Sequence, residues 1–169
     1  MELFIRKANL DEANIIYEIT QEAFKKYAHE LGMPNKVFAL SETPHIIQKD
    51  ILEKNVFIAY LNGQAVGSIR FEMLPNHIAY ITRFGVRPIV HNHGIGGGLI
   101  DIVEEESKKQ GAQILALHTA SKMPSLIRFY YGMNFYIHST NTDRGYIRAL
   151  LCKELNGYCL ENIDVVNTK

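Results

Sequence analysis

The sequence predicts a mixed α/β fold, one mostly antiparallel central sheet of six to seven strands with helices on both faces, and three observations carry that prediction. Two β-rich runs, Val56 to Leu61 and Gln64 to Phe71, flank Asn62-Gly63, the dipeptide that type I′ hairpin turns favour. A third β-rich run, Ile78 to Val86, follows the turn Pro75-Asn76-His77 and stops before Pro88. Beyond it, helical and strand patterns alternate to about residue 153. A meander followed by alternation is the order of one mixed sheet.

Each element has its own local reason. Leu3 to Arg6 reads as a short strand, and Asn9 then caps a helix to which Glu12 reaches back. In that helix Ala13, Ile16, Ile19, Ala23 and Tyr27 recur at helical spacing and face inward, while Glu18, Gln21, Glu22 and Lys25 lie off that face. Gly32-Met33-Pro34 ends it. A weaker helix runs from about Thr43 to Lys54, with Ile46, Ile47, Ile51 and Leu52 as its apolar positions. A helix from about Gly97 to Gln110 turns Leu99, Ile102 and Val103 inward and stops at Gly111. Ile114 to Leu117 is a continuous apolar run, the pattern of a strand covered on both faces. Pro124 to Tyr131 makes a short helix, and Phe135 to His138 and Ile147 to Lys153 supply two more strands around the polar turn Asn141 to Gly145.

The chain's 169 residues fit a single domain, expected over residues 1–153, with residues 154–169 as a C-terminal extension. Lys plus Arg and Asp plus Glu both number 18, so the net charge is zero and no basic stripe marks a nucleic-acid partner. The 2 cysteines, Cys152 and Cys159, make neither a disulfide framework nor a four-ligand zinc site. They are expected to be reduced thiols. The opening residues carry no secretory pattern, and no apolar run approaches the ~20 residues that span a bilayer. A cytoplasmic protein without a membrane partner is expected.

The segment that carries chemistry is His91-Asn92-His93-Gly94-Ile95-Gly96-Gly97-Gly98. A strand that feeds a glycine-rich turn and then a helix start gathers free N–H groups and the positive end of the helix dipole, which suits a phosphate. Each glycine inside the helix costs about 1 kcal/mol of propensity, which a purely structural turn would not require. No Lys-Ser/Thr follows the glycines, which excludes a P-loop. Leu99 stands where the dinucleotide fingerprint wants its third glycine, and the next strand leads to Leu117-His118-Thr119 rather than to an acidic residue.

His91-Asn92-His93-Gly94-Ile95-Gly96 resembles the Q/R-x-x-G-x-G/A pyrophosphate motif of the GNAT superfamily of N-acetyltransferases, with His in place of Gln or Arg at the first position. Phe129-Tyr130-Tyr131-Gly132-Met133-Asn134-Phe135 resembles the same family's F-Y-x-K-x-G-F, with Asn134 where Gly is usual. Asn tolerates a left-handed backbone better than most residues. The order of elements agrees with the family from Leu3 to about Lys153.

The resemblance implies a splayed fourth strand, acetyl-CoA as co-substrate, and a small-molecule or peptide amine as acceptor. It also allows a homodimer. The loop from His91 to Gly97 (His91, Asn92, His93, Gly94, Ile95, Gly96 and Gly97) would then hold the pyrophosphate. The main chain of Phe84 and Val86 would hold the pantetheine arm and polarise the thioester carbonyl. Tyr130 would be the general acid for the departing thiolate, a task that a phenol of ordinary pKa ~10 suits. Tyr80 stands where many relatives carry a strand Glu, and Glu72, His77 and Thr82 are the nearby candidates for a base. That missing Glu also suits a second expectation, a non-catalytic acyl-CoA-binding sensor. His91 and His93 make an H-x-H pair with no third ligand at suitable spacing, so no metal is expected. The acceptor is expected near residues 20 to 50 at the end of the sheet.

Overall fold

In the computed structural model, which describes residues 1–158 and 160, the elements run β1 (Leu3–Lys7), α1 (Ala13–Leu31), α2 (Pro44–Glu53), β2 (Asn55–Leu61), β3 (Gln64–Leu74), β4 (Ile78–Val86), α3 (Ile95–Lys109), β5 (Ile114–Ala120), α4 (Pro124–Gly132), β6 (Tyr136–Asn141) and β7 (Arg148–Glu154). The seven strands form one sheet in the order β1-β2-β3-β4-β5-β7-β6. The pairs β1–β2, β2–β3, β5–β7 and β6–β7 are antiparallel, and β4–β5 is parallel. The β4–β5 register covers only Ile78–Tyr80 against Ile114–Ala116, which leaves Ile81–Val86 of β4 outside it. Cys159 and residues 161–169, part of the expected extension, lie outside the described residues. Among the described residues, no helix is long and apolar enough to cross a membrane.

Two compact units make up the chain: Met1–Phe71 with Thr82–Val103, and Glu72–Ile81 with the described residues from Glu104 onward. In the first, Ala13 and Ile16 of α1 and Ile47 of α2 pack on Val56 and Ile58 of β2, all nearly or fully buried. Each buried Ile or Val side chain among them contributes about 1.5–3 kcal/mol. The register places Ala59 opposite Gly67, one residue out of phase with Ile58, so this pair shows the other face of the sheet. There α3 closes in: a Cβ on Gly67 would sit 3.0 Å from Leu99 Cδ1 and 3.2 Å from Ile95 Cγ2. Helices therefore cover both faces of this unit. In the second unit Ile78 and Tyr80 of β4, Ile114 and Ala116 of β5 and Leu150 and Cys152 of β7 form the core. Cys152 is fully buried, which with Glu154 nearby pushes its thiol up to about 12.

Several boundaries differ from the sequence reading. Leu10–Glu12 winds as a single 3-10 turn before α1, with the Glu12 carboxylate taking the Asn9 N–H at 2.7 Å. The segment between α1 and α2 holds two 3-10 turns, Pro34–Lys36 and Phe38–Ser41. On α2, Ile47 is buried, but Ile46 and Leu52 are 44% and 73% exposed, because a ten-residue helix lays only one narrow stripe on the sheet. Helix α3 begins at Ile95, two residues earlier than expected, since Gly94 takes φ +76° and the helix starts directly after it.

Candidate functional site

The glycine loop is built from the end of β4. Arg87 anchors that end: its N–H donates to the Val66 carbonyl at 2.8 Å, its Nε donates to the Ala65 carbonyl at 2.9 Å, and its Nη1 pairs with Glu22 of α1 at 2.5 Å. A 3-10 turn, Pro88–Val90, leads on to His91. The His91 ring turns back, with Nε2 3.1 Å from the Val86 carbonyl and Nδ1 3.4 Å from Lys26 Nζ. The tautomer protonated at Nε2 satisfies both, donating to the carbonyl and accepting from the ammonium. His93 Nδ1 lies 3.0 Å from the carbonyls of Val90 and His91. Both imidazoles thus brace the loop through main-chain oxygens. Among the described residues, no three His, Cys, Asp or Glu side chains come together as a metal site.

Asn92 and Gly94 both take the left-handed conformation, at φ +69° and +76°, and a Cβ on Gly94 would meet open space. The first α-helical bond of α3 runs from the Gly98 N–H to the Gly94 carbonyl at 3.0 Å. The N–H groups of Ile95, Gly96 and Gly97 therefore precede any intrahelical partner and gather at the positive end of a 15-residue helix. Such a group of N–H donors at a helix start can accept an anion such as a phosphate. Gly98 has a different job, since a Cβ there would lie 3.0 Å from Ile5 Cδ1. It lets α3 approach β1.

Phe84 and Val86 are half-buried on β4, and the Val86 carbonyl is already engaged by His91. Between them, Gly85 is fixed by close approach: a Cβ would stand 2.8 Å from Ala23 Cβ of α1. Arg83, just before Phe84, takes φ +50°, a conformation few arginines adopt. Its Nε donates to Glu42 at 3.2 Å, and Glu42 is itself held by the Arg70 fork at 2.6 and 2.7 Å, while Arg70 also reaches Asp50 at 2.9 Å. Nothing in the sequence marked this cluster, because its partners come from β3, β4, α2 and the loop before α2. The strand pattern around Arg83 is unbroken, so its local sequence carried no signal.

In the second unit, Tyr130 on α4 is buried, edge-on to Phe129 at 5.3 Å and to Phe135 at 5.7 Å between ring centroids. Its carbonyl accepts the N–H groups of Met133 and Phe135, each at 3.0 Å, across a turn in which Asn134 takes φ +68°. Tyr131 is half exposed and its hydroxyl accepts the Ile137 N–H at 3.2 Å, a structural tie. The Tyr80 hydroxyl lies 2.5 Å from His118 Nδ1, and Asn141 Nδ2 lies 3.4 Å from His118 Nε2. Burial, then Arg148 and Arg144, hold the His118 pKa down to about 4. Of the three candidate bases, His77 occupies the turn before β4 at φ +60°, where its carbonyl accepts the Gln113 N–H at 2.8 Å. Glu72 and Thr82 are half-buried on β3 and β4.

The sequence matches the Acetyltransferase (GNAT) family over residues 14–135. Among solved structures, the chain is similar to the PaiA N-acetyltransferase of Thermoplasma acidophilum in complex with coenzyme A, at TM-score 0.81 and 18% identity, covering 91% of this chain and 99% of that one. It is also similar to a GNAT acetyltransferase of Streptococcus pneumoniae, at TM-score 0.72 and 16% identity over 90% and 99% of the two chains. A third similar structure, a GNAT acetyltransferase of Elizabethkingia anophelis with acetyl-CoA bound, has TM-score 0.70 and 16% identity over 90% and 98%. No curated protein sequence matches the chain.

Proposed function

The chain belongs to the GNAT acetyltransferase family, and from that premise we propose that it is an N-acyltransferase that moves an acetyl group from acetyl-CoA to a primary amine. The observation that carries the proposal is the cradle at the start of α3, where the N–H groups of Ile95, Gly96 and Gly97 stand ahead of the first helical bond beside an open, left-handed Gly94. Those groups fit a pyrophosphate, and the three solved relatives support it, two of them holding coenzyme A or acetyl-CoA.

Acetyl-CoA would supply the acyl group already activated as a thioester. The loop from His91 to Gly97 binds the pyrophosphate by main-chain N–H groups, with the His91 and His93 rings bracing it from behind. The main chain of Phe84 and Val86 orients the pantetheine arm, and with the Val86 carbonyl tied to His91 the remaining N–H groups are the donors for the thioester oxygen. A neutral primary amine attacks directly, the C–N bond forms as the C–S bond breaks, and Tyr130 donates its phenolic proton to the departing sulfur. Among the described residues we assign no dedicated base: the acceptor ammonium loses its proton to water before attack, and the proton shed by the nitrogen as the amide forms returns through water to the Tyr130 phenolate.

Isothermal titration with CoA and acetyl-CoA, followed by thiol release across an amine panel, tests this. Micromolar binding with turnover for some amine is the expected result. Absence of CoA binding overturns the assignment, and binding without turnover for any amine reduces it to an acyl-CoA-binding module.

A further inference from the structure

Two arginines among the described residues are almost fully buried, each with its Nε sealed from solvent and without an acceptor, and they differ in their counter-ions. Arg70 is 0% exposed and forks onto Glu42 and Asp50. Arg148 is 5% exposed, and among the described residues no carboxylate pairs with its guanidinium. An uncompensated buried charge costs several kcal/mol. Among the described residues one buried arginine has counter-ions and the other has none, which leaves that charge for something that arrives.

We propose that Arg148 binds a carboxylate of the acceptor, so that the acceptor is an amine that also carries a carboxylate group, such as an amino acid or a peptide end; this rests on the acetyl-transfer reading above. Arg148 opens β7 and lies in register with Ala120, the last residue of β5, and with Asn141, the last residue of β6. Paired residues of antiparallel strands share a face, so Cys152–Ala116, Leu150–His118 and Arg148–Ala120 run along one side of the sheet. That side is apolar at Ala116 and Cys152 and turns polar at His118, Asn141 and Arg148. The polar end lies past Tyr80–Ala116, where the parallel β4–β5 register stops. Open sheets take their ligands beyond the carboxyl ends of parallel strands.

The chemistry selects the ligand class. A guanidinium offers a planar fork that matches a carboxylate in two parallel hydrogen bonds. His118, 2.5 Å from the Tyr80 hydroxyl through Nδ1, is neutral, and the cationic groups acting on it are Arg148 and Arg144. The surroundings thus favour an anion and repel a polycation.

The test compares amino acids with their decarboxylated amines as acceptors, by thiol release at saturating acetyl-CoA. The expected result is a preference of about 10- to 100-fold in kcat/KM for the carboxylate-bearing partner, the range of a hydrogen bond to a charged group. Arg148→Gln is expected to abolish that preference while leaving the KM for acetyl-CoA and the rate with decarboxylated amines unchanged, and Arg148→Lys to restore part of it. Should neither variant fold, competitive inhibition of the native enzyme by small monocarboxylates against the acceptor gives the same answer. Equal or better turnover of the decarboxylated amines, or an equal loss for both partners in Arg148→Gln, overturns the proposal. Turnover of decarboxylated amines without the preference overturns the carboxylate assignment alone, whereas acetyl-CoA binding with no turnover of any acceptor, or no acetyl-CoA binding at all, overturns the transferase reading beneath it.

Discussion

The imidazole of His91 holds the main-chain carbonyl of Val86 at 3.1 Å through Nε2, tying the first residue of the glycine loop to the last residue of β4. A histidine here offers an N–H to a carbonyl at the position where the motif it resembles has Gln or Arg, side chains that also carry N–H donors. It also spends the Val86 carbonyl on the loop. His91→Ala is expected to weaken acetyl-CoA binding about 10-fold, the worth of one such hydrogen bond, with kcat nearly unchanged. His91→Gln should keep most of the affinity. Isothermal titration of both variants checks this, and equal losses in the two would place the effect on Lys26, which only the imidazole reaches.

Tyr130 is enclosed by Phe129 and Phe135, so removing its hydroxyl alone leaves the packing of its ring in place. Tyr130→Phe is therefore expected to retain stability and acetyl-CoA affinity while lowering kcat by about 100-fold, the usual share of a general acid. Steady-state kinetics beside a thermal melt separate the two effects. An unchanged kcat with a good acceptor would remove Tyr130 from the mechanism.

The parts of this fold that the sequence revealed are those dictated by a few neighbouring residues. Asn62-Gly63 takes φ +50° and +81°, as a type I′ turn requires, and Asn134 takes φ +68° where the family usually has glycine. The left-handed turn at Gly94 and the helix start after it were equally visible, because they are a local arrangement of backbone. What stayed hidden depends on residues far apart in the chain. Arg70 meets Glu42 and Asp50 across 28 and 20 residues, and Arg83 reaches Glu42 across 41. Arg148 reads as an ordinary strand-end residue until the fold buries it with no counter-ion among the described residues.

Gly85 is a steric prediction. Its missing Cβ would be 2.8 Å from Ala23 Cβ, and neither methyl group has a torsion by which to retreat. Gly85→Ala is expected to cost about 1–3 kcal/mol by forcing α1 away from β4. Adding Ala23→Gly should recover part of that loss, less about 1 kcal/mol of helix propensity. Urea denaturation of the single and double variants measures both. Additive losses would show that the two sites do not press on each other.

Glu12 makes stability depend on acid. Burial alone would raise its pKa, but Arg6, the Asn9 N–H and the Tyr60 hydroxyl outweigh that and hold it at about 2, below its ordinary 4.5. The unfolded chain therefore takes up a proton at higher pH than the folded one, and the stabilisation, complete above about 4.5, is lost as pH falls toward 2. With solvent screening it amounts to about 1 kcal/mol. Glu12→Gln should flatten that portion of the stability profile, read by urea midpoints from pH 6 down to 3.

His118 gives a second pH signature, and one that reports on Arg148. Its pKa is lowered to about 4 by burial first and then by Arg148 and Arg144, so the folded protein takes up this proton well below the ordinary 6.5. The unfolded chain binds it earlier, and stability falls as pH drops from 6.5 toward 4. Arg148→Gln removes one of the two positive charges and should raise the His118 midpoint, followed by its imidazole resonances in NMR. A carboxylate seated on Arg148 neutralises the same charge without any substitution, so an excess of a bound amino acid should move the midpoint in the same direction. If Arg148→Gln raises the midpoint and amino acids leave it untouched, the carboxylate binds elsewhere; if neither moves it, burial alone sets the protonation of His118.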